Sequence, residues 1–284
     1  MNWDDSAYLI FKNRYSENSI IAEVFTENYG NKTIRSITKA SRHFLENPPI
    51  CFKENERVLY HVYYNVSFIW VHAGEVTFST SMESYNNKDI FHIIGDGKTY
   101  PSYDWIFKVR DRYETYLDVN ELVPLKFIRN VNEGGYKIYN HIVFNHAENK
   151  ATSTNGTFKI PKCVQDVLSS IYYARNIDFK GKKKGDKVFF NMFLDDKVYP
   201  IYITYLGKER IKTKYGTFNS IVFSPTLIAG TIFKEGDAMT VWVSDDANHV
   251  PVRINSPISV GSIKVDLMQF SNLKYPFTSL ISKN

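Results

Sequence analysis

The chain has 284 residues, of which 43% are hydrophobic and 23% charged, so it can bury a substantial core and wholesale disorder is excluded. The 35 basic and 30 acidic residues give a net charge of +5, which is too small to indicate a nucleic-acid partner. No run of apolar residues approaches the roughly eighteen that a membrane-spanning helix needs. Aromatic residues reach 15%, mostly Tyr and Phe, and these residues favour β-strands.

Residues 1–50 differ from the rest of the chain and are interpreted as an N-terminal extension or linker. They contain polar runs and end at the breaker Asn47-Pro48-Pro49. The first twenty residues lack the basic, apolar and small-residue regions of a secretory signal, which taken alone indicates a cytoplasmic protein. Residues 51–284 are expected to form a single β-rich domain.

Strand signals recur at short intervals from Val58 onward. Nine runs are rich in Val, Ile, Phe, Tyr and Thr and are bounded by the turn formers Gly, Asn and Asp. The runs cover residues 58–71, 74–82, 89–97, 136–145, 186–194, 198–206, 218–224, 238–245 and 258–270. They predict a mainly β fold, a large twisted antiparallel sheet that forms an open barrel or a sandwich.

Residues 110–118 alternate in character, as a strand with two different faces does. The alternation places Arg110, Arg112, Glu114, Tyr116 and Asp118 on one face, and Asp111, Tyr113, Thr115 and Leu117 on the other. The charged face has two interpretations. It is either a solvated surface with weak cross-strand ion pairs or the polar floor of a binding cleft.

The clearest hairpin lies around Asp195-Asp196, which separate two alternating apolar runs. Pro200 lies inside the second arm of this hairpin. Because proline cannot donate a hydrogen bond to a neighbouring strand, it indicates an edge position or a bulge.

Only residues 163–176 have helical periodicity, with apolar residues at three- and four-residue spacing after Pro161. A proline suits the start of a helix, so one short helix is predicted there. The two cysteines, Cys51 and Cys163, are too few for a disulfide scaffold and lack metal-ligand spacing. Composition alone favours free thiols over one long-range bridge.

The remaining patterns indicate no catalytic, cofactor or metal chemistry. The seven histidines form no HxxxH or HExxH pair, and neither a nucleophile elbow nor a phosphate loop is present. We therefore expect no enzyme activity. The alternative is a carbohydrate-active enzyme, because glycosidases use two carboxyl groups. Its candidates are Asp245 or Asp246 with an acid from Asp111, Glu114 or Asp118.

The stretches RDRYETYLD, YYAR and SDDANHVPV, taken together, are specific. With them, about residues 51–284 resemble the bacterial domain-of-unknown-function 3108 family in its Bacteroidetes form. The resemblance implies an exported protein of the Gram-negative periplasm or outer-membrane inner face, with a twisted antiparallel β architecture and no established activity. It also makes Cys51 and Cys163 candidates for a disulfide, because an oxidising compartment permits one.

These inferences favour a non-enzymatic envelope protein that binds a lipid or glycan through aromatic and charged side chains in a cleft. The predicted binding residues are Trp70, Trp105, Arg110, Arg112, Tyr173 and Arg175. Besides the carbohydrate-active enzyme, the chain has a third interpretation as a structural partner in an envelope complex. A large exposed apolar patch would favour that interpretation.

Overall fold

The computed structural model describes residues 50–66, 69–228, 238–258 and 261–284, so the predicted extension lies outside the described residues except for Ile50. The described chain forms fifteen strands, one α-helix and a short 3-10 helix. The strands are β1 Arg57–Val66, β2 Ile69–Tyr85, β3 Lys88–Thr99, β4 Val109–Asp118, β5 Pro124–Glu133, β6 Tyr136–Asn145, β7 Lys150–Ser153, β8 Gly156–Lys159, β9 Lys187–Leu194, β10 Lys197–Lys212, β11 Gly216–Pro225, β12 Thr240–Ser244, β13 Pro251–Pro257, β14 Ser262–Ser271 and β15 Leu280–Lys283. The α-helix α1 is Val167–Arg175, and the 3-10 helix is Pro101–Tyr103.

All the strands belong to one antiparallel sheet, which confirms the predicted fold class. The strand order is β8-β7-β6-β5-β4-β3-β2-β1-β14-β13-β12-β11-β10-β9, and β15 pairs with β11. Most strands next to each other in the chain therefore pair with each other, and the two long-range pairings are those of β1 with β14 and of β11 with β15. Short connections of this kind require antiparallel neighbours.

The sheet curls without closing, so the open barrel is the observed form of the two predicted ones. In the described chain the edge strands β8 and β9 are not hydrogen-bonded neighbours. Their side chains meet instead. The Phe158 and Phe193 rings have centroids 6.0 Å apart, and Asn155 Nδ2 donates to Asp196 Oδ2 at 2.6 Å. Side chains rather than backbone bonds thus join the two edges.

The predicted hairpin is formed by β9 and β10. Asp195 and Asp196 have φ values of 48° and 61°, the left-handed conformation that a type I′ turn requires at both central positions. Pro200 pairs with β9 alone, because pairing of β10 with β11 begins at Ile203. The proline therefore lies where the strand has a neighbour on one side only, as expected.

The helix begins at Val167, four residues later than the predicted start, and Pro161 does not lie at its first turn. Asp166 is the N-cap: its Oδ1 accepts from the Ser169 backbone N–H at 2.7 Å, and Ser169 Oγ accepts from the Asp166 N–H at 2.8 Å. This reciprocal capping box satisfies two backbone donors. Gln165, just before the cap, instead forms a parallel bridge with β9. No helix in the described residues is long and apolar enough to span a membrane.

Helix α1 lies on one face of the sheet, here called the inner face. Thr115 Oγ1 of β4 donates to Asp166 Oδ2 at 2.6 Å, and Leu168 Cδ1 would lie 3.7 Å from a Cβ added at Gly95 of β3. The buried core around the helix includes Phe52, Phe91, Ile93, Leu117, Phe127, Ile142, Phe144, Leu168, Tyr172 and Phe193. A second buried cluster contains Val58, Tyr60, Ile211, Phe218, Val250, Val252 and Leu267.

The predicted disulfide is not formed, and Cys51 and Cys163 are both free thiols. The Cys51 N–H donates at 2.9 Å to Asn176 Oδ1, which follows the C-terminal end of α1, whereas Cys163 precedes its N-terminal end. The charged neighbours of the two thiols also differ. Arg175 and Glu56 lie near Cys51, whereas Glu121 and Lys162 lie near Cys163, so the two sulfurs have different surroundings.

Candidate functional site

Beyond the helix, the inner face of β3 to β6 changes from apolar to polar. The cross-strand row beside the helix, which is fully buried, is Ile93, Thr115, Phe127 and Ile142. The next two rows, toward the β3–β4 turn, are Gly95, Tyr113, Arg129 and Asn140, and then Gly97, Asp111, Val131 and Ile138. We call Asp111, Tyr113, Arg129, Glu133 and Asn140 the inner polar cluster. A core-facing sheet surface is ordinarily apolar, so the presence of these polar residues on the inner face needs an explanation.

Arg129 supplies a guanidinium to this cluster, and only 8% of the residue is exposed. Its Nη2 donates to Asp195 Oδ1 in the β9–β10 turn. With the Asn140 amide oriented to satisfy both of its groups, the amide oxygen accepts from Nη2 at 3.1 Å. The Nε–H has no hydrogen-bond partner in the described chain. A buried donor without an acceptor costs ~1–3 kcal/mol, which a ligand oxygen at this position would recover.

Asp111 and Glu133 bring two carboxyl groups together in the same cluster. The Glu133 side chain is hydrogen-bonded to that of Asp111, and the Asn132 backbone N–H donates to Asp111 Oδ1 at 3.1 Å. Burial, together with the neighbouring carboxylate, raises the pKa of Asp111 to about 7, although the backbone hydrogen bond lowers it. Asp111 therefore holds a proton in a substantial fraction of molecules at neutral pH and can donate a hydrogen bond.

Tyr113 lies between the carboxyl groups and the guanidinium. Burial, and then the negative charge of Asp111, raise the pKa of Tyr113 to about 12, so its phenol stays neutral. The Tyr113 ring packs on Phe127, with centroids 6.2 Å apart. The cluster thus offers donors of three kinds, guanidinium, phenol and carboxylic acid. Because the carboxyl groups of Asp111, Glu133 and Asp195 outnumber the one guanidinium, the set suits an uncharged oxygen-rich group such as sugar hydroxyls.

The predicted binding residues Arg110 and Arg112 lie on the opposite face of β4, as the alternation indicated. Arg110 pairs with Asp104 at 2.7 Å, and Arg112 pairs with Asp96 at 3.0 Å and Glu114 at 2.8 Å. These arginines are 36% and 44% exposed, so each ion pair contributes well under ~1 kcal/mol. Around Arg110 and Arg112 this face is therefore a partly exposed surface with ion pairs, whereas the side chains of Glu114 and Asp118, farther along the strand, are 17% and 3% exposed.

The structure does not assemble the other predicted binding residues into one cleft. Trp70 is 41% exposed on β2, with Lys264 Nζ 4.3 Å from its ring centroid. Trp105 is 82% exposed in the β3–β4 turn. Tyr173 is half-buried on α1, where its ring lies 4.7 Å from that of Phe190. None of them belongs to the inner polar cluster.

Arg175, another predicted binding residue, lies in the core. Its Nη1 and Nη2 donate to the Glu56 carboxylate at 2.5 and 3.0 Å, and both side chains are at least 96% buried. Its Nε and Nη2 also donate to the Asn248 carbonyl at 3.2 and 3.1 Å. The guanidinium therefore joins the residue before β1, the helix and the segment after β12, rather than facing a ligand.

The carboxylates of the glycosidase hypothesis are engaged elsewhere. Asp246 accepts from the Asn248 backbone N–H at 3.0 Å, and Asp118 similarly caps the turn after β4. Asp245 pairs with Lys208 at 2.7 Å. These groups stabilise turns and exposed strands, and they do not face one another as a catalytic pair. Nor does any group of three or more His, Cys, Asp and Glu in the described ranges have a geometry that could hold a metal ion.

An open pocket of about 360 Å³ lies away from the inner polar cluster. Its lining includes Phe179, Lys182, Tyr205, Lys208, Asp245 and His249. Lys208 is paired with Asp245, and His249 Nδ1 donates to the Arg175 carbonyl at 2.6 Å. Because Lys208, Asp245 and His249 already bond to each other or to the backbone, the pocket is a weaker candidate than the cluster around Arg129.

Sequence reasoning missed Arg129 and Glu133, because β5 was not among the nine predicted runs. A signal was present: Phe127, Arg129, Val131 and Glu133 alternate along one face of β5, so two charged residues share a face with two apolar ones. Such mixing identifies charges that point inward.

Comparison with known families agrees with this architecture. Residues 59–268 match the model of a family described as "protein of unknown function (DUF3108)". The chain belongs to this family. The match contains the whole inner polar cluster of the DUF3108 protein. No curated protein is significantly similar to it.

Three solved structures are similar to the DUF3108 protein at low sequence identity. A β-barrel-like protein of the DUF1849 domain from Brucella abortus has a TM-score of 0.52 and 9% identity, over 78% of this chain and 100% of its own. A putative exported protein with a YmcC-like fold from Bacteroides fragilis has 12% identity and a TM-score of 0.28, over 78% and 97%. A putative lipoprotein from Parabacteroides distasonis has 12% identity and a TM-score of 0.29, over 78% and 98%. The similarity to the Brucella abortus protein supports a β-barrel-like fold.

Proposed function

We propose that this DUF3108 protein is a non-enzymatic protein of the cell envelope, in the periplasm or at the outer-membrane inner face, that binds an amphiphilic lipid or glycolipid. The observation that carries the proposal is the buried Arg129 Nε–H, which has no acceptor in the described chain. The polar group of the ligand accepts from this donor, and the apolar part lies along the neighbouring apolar side chains.

The energetics of the inner polar cluster support a binding role over a purely structural one. Burying charge costs free energy that an apolar interior avoids, so a cluster of this kind does not stabilise the sheet by itself. The raised pKa of Asp111 is typical of functional sites, although structural networks produce such shifts as well. Polar and charged side chains within an otherwise apolar core are expected at functional sites.

The surroundings of the cluster favour an amphiphile over a fully polar ligand. Val131 and Ile138 lie in the same cross-strand row as Asp111, and Ile138 is only half-buried, so part of its apolar surface can contact a ligand. Gly97 carries no side chain beside Asp111, and a Cβ added there would meet only Val76, at 3.6 Å, and Asp111, at 3.9 Å. A few placed donors within apolar walls are the usual lining of a small-molecule site.

The carboxyl geometry of the cluster supports a binding protein rather than a glycosidase. Asp111 and Glu133 are within hydrogen-bonding contact of each other. Retaining and inverting glycosidases separate their two carboxyl groups by ~5 Å or more, so that the sugar fits between them. Two carboxyl groups that share a proton leave no such space.

Native mass spectrometry of the protein purified from its own envelope tests the proposal. We expect a co-purifying mass in the hundreds to low thousands of daltons that organic extraction releases as an amphiphile. Arg129→Met should lose this mass, because it removes the donor while leaving the partly exposed Asp195 solvated. A clean apo mass from several wild-type preparations would overturn the proposal.

Arg112→Met is the matched control, since it removes an arginine from the same sheet on the opposite, solvated face. It should keep the bound mass. Equal loss from both variants would show that the ligand depends on net charge rather than on the cluster. Retention by a folded Arg129→Met protein would exclude the cluster as the site.

A further inference from the structure

Three connections of the sheet lie at one end of it. β1 leads to β2, β3 to β4 and β5 to β6, and these strands are consecutive antiparallel neighbours. Strands that alternate in direction bring every second connection to the same end. The polar rows of the inner face also run toward this end.

Large apolar side chains are exposed at these three connections. Within the β3–β4 turn, Trp105, Ile106 and Phe107 are 82%, 63% and 53% exposed. Ile69 at the start of β2 is 68% exposed, and Tyr136 at the start of β6 is 67% exposed. We call these five residues with Trp70 the apolar rim. Several large apolar side chains exposed at one end of a sheet indicate an interaction site in a folded protein.

The β3–β4 turn contacts the β5–β6 turn on one side and strand β2 on the other. A Cβ added at Gly134, in the β5–β6 turn, would lie 2.5 Å from Phe107 Cε2, so the Phe107 ring lies directly on this glycine. On the other side, the Tyr100 N–H donates to the Ala73 carbonyl of β2 at 3.0 Å, and the Tyr100 hydroxyl contacts His72 Nε2 at 3.0 Å. The β3–β4 turn is therefore tied to both neighbours.

The β3–β4 turn is held in a fixed shape that keeps Trp105 outward. Trp105 Nε1 donates to the Ser102 carbonyl at 3.0 Å. Asp104 accepts from Thr99 Oγ1 at 2.7 Å and from Arg110 Nη2 at 2.7 Å. These bonds order the turn before any partner arrives, so binding through the rim does not cost the ordering of a flexible loop.

Basic side chains accompany the rim. Lys108 directly follows Phe107, Lys137 directly follows Tyr136, and both lysines are exposed. In the described part of the chain, neither has a carboxylate within ion-pairing distance. Lys264 lies over the Trp70 ring. The rim thus combines exposed aromatic side chains with lysines that form no salt bridge in the described chain.

We propose that the apolar rim inserts into the interface of an anionic phospholipid bilayer. Trp and Tyr, with an apolar body and a polar edge, suit the boundary between headgroups and acyl chains. Lysines with apolar stems can place their charge among anionic headgroups. The residues project from turns at the end of strands rather than forming a flat or concave face, and this shape suits penetration of a lipid layer. The inference does not depend on the inner polar cluster.

Flotation with lipid vesicles tests this docking surface on the full chain. Vesicles of phosphatidylglycerol with phosphatidylethanolamine should carry the protein upward, and vesicles of phosphatidylcholine alone should carry less of it. Raising the salt to 0.5 M should weaken binding to the phosphatidylglycerol vesicles, because salt screens the attraction between the lysines and the anionic headgroups. Trp105→Ser with Ile106→Ser should reduce partitioning about tenfold or more, since both side chains lose their burial in lipid.

Phe189→Ser is the matched control, because Phe189 is 66% exposed on edge strand β9. It should float as the wild type does. No flotation of the wild type, or equal loss in both variants, would overturn the proposal. If the rim variant instead turned a dimer into a monomer in light scattering, with no vesicle binding, the rim would be a protein interface. Arg129→Met should still float, which separates this proposal from the ligand site.

Discussion

Replacing Asp111 by Asn should stabilise the protein above neutral pH and change little near pH 4. The folded state raises the pKa of Asp111 from 3.8 to about 7. Between those values the folded protein binds a proton that the unfolded chain releases. The stability contributed by this proton is complete below about pH 4 and is lost as the pH rises through about 7. Asparagine cannot ionise, so the Asn variant should not lose this stability as the pH rises. Its amide oxygen can still accept from the Asn132 N–H.

The magnitude follows from the size of the shift. About three pKa units correspond to ~4 kcal/mol at 1.36 kcal/mol per unit. Because Asp111 is only half-buried, solvent screening reduces this to roughly 1–2 kcal/mol at pH 8. Urea unfolding followed by circular dichroism at pH 4, 6 and 8 measures the free energy of unfolding at each pH.

Asp96→Asn is the control for this experiment. Asp96 lies one strand away, is exposed and pairs with Arg112, so its loss should be slightly destabilising or neutral at pH 8. The reasoning about Asp111 is refuted if Asp111→Asn destabilises at pH 8. It is also refuted if the stability difference is the same at pH 4 and pH 8, because a shifted proton equilibrium must produce a pH dependence.

Three further outcomes are expected. Arg175→Met should lower the free energy of unfolding by ~3–5 kcal/mol by leaving Glu56 buried and unpaired, and adding Glu56→Gln should recover part of the loss in a double-mutant cycle. Leu168→Ala should cost ~2–5 kcal/mol in the same assay, because Leu168 is 1% exposed between helix and sheet; a smaller loss would mean that the helix packs loosely. Cys51 should resist alkylation in the native state, because burial raises the pKa of its thiol to about 11, while both Cys51 and Cys163 should react in denaturant without reductant. If neither cysteine reacted in denaturant without reductant, a disulfide between them would be present after all.

Local patterns determined much of the fold. Alternation over residues 110–118 separated the faces of β4 correctly, because successive side chains in a strand point to opposite sides whatever the partner strand is. The hairpin at Asp195 and Asp196 followed from turn chemistry that involves only neighbouring residues. The helix was found but started too early, because the cap at Asp166 lies inside the apolar periodic stretch.

Long-range pairing decided what local patterns could not. Arg175 resembles a surface residue at the end of a helix, but Glu56, 119 residues away, makes it part of the core. The family resemblance made the cysteines candidates for a bridge, but the fold surrounds each thiol with different neighbours. Neither outcome depends on nearby residues alone.

The sequence by itself determined the β class, the hairpin, the helix and the family, because periodicity, turn residues and sequence stretches are properties of contiguous segments. Only the tertiary structure brought Asp111 of β4 together with Arg129 and Glu133 of β5, and left the rim exposed. The physical reason is register. One residue of slip between β4 and β5 would send every side chain to the other face, and pairing across the sheet chooses the register through total burial.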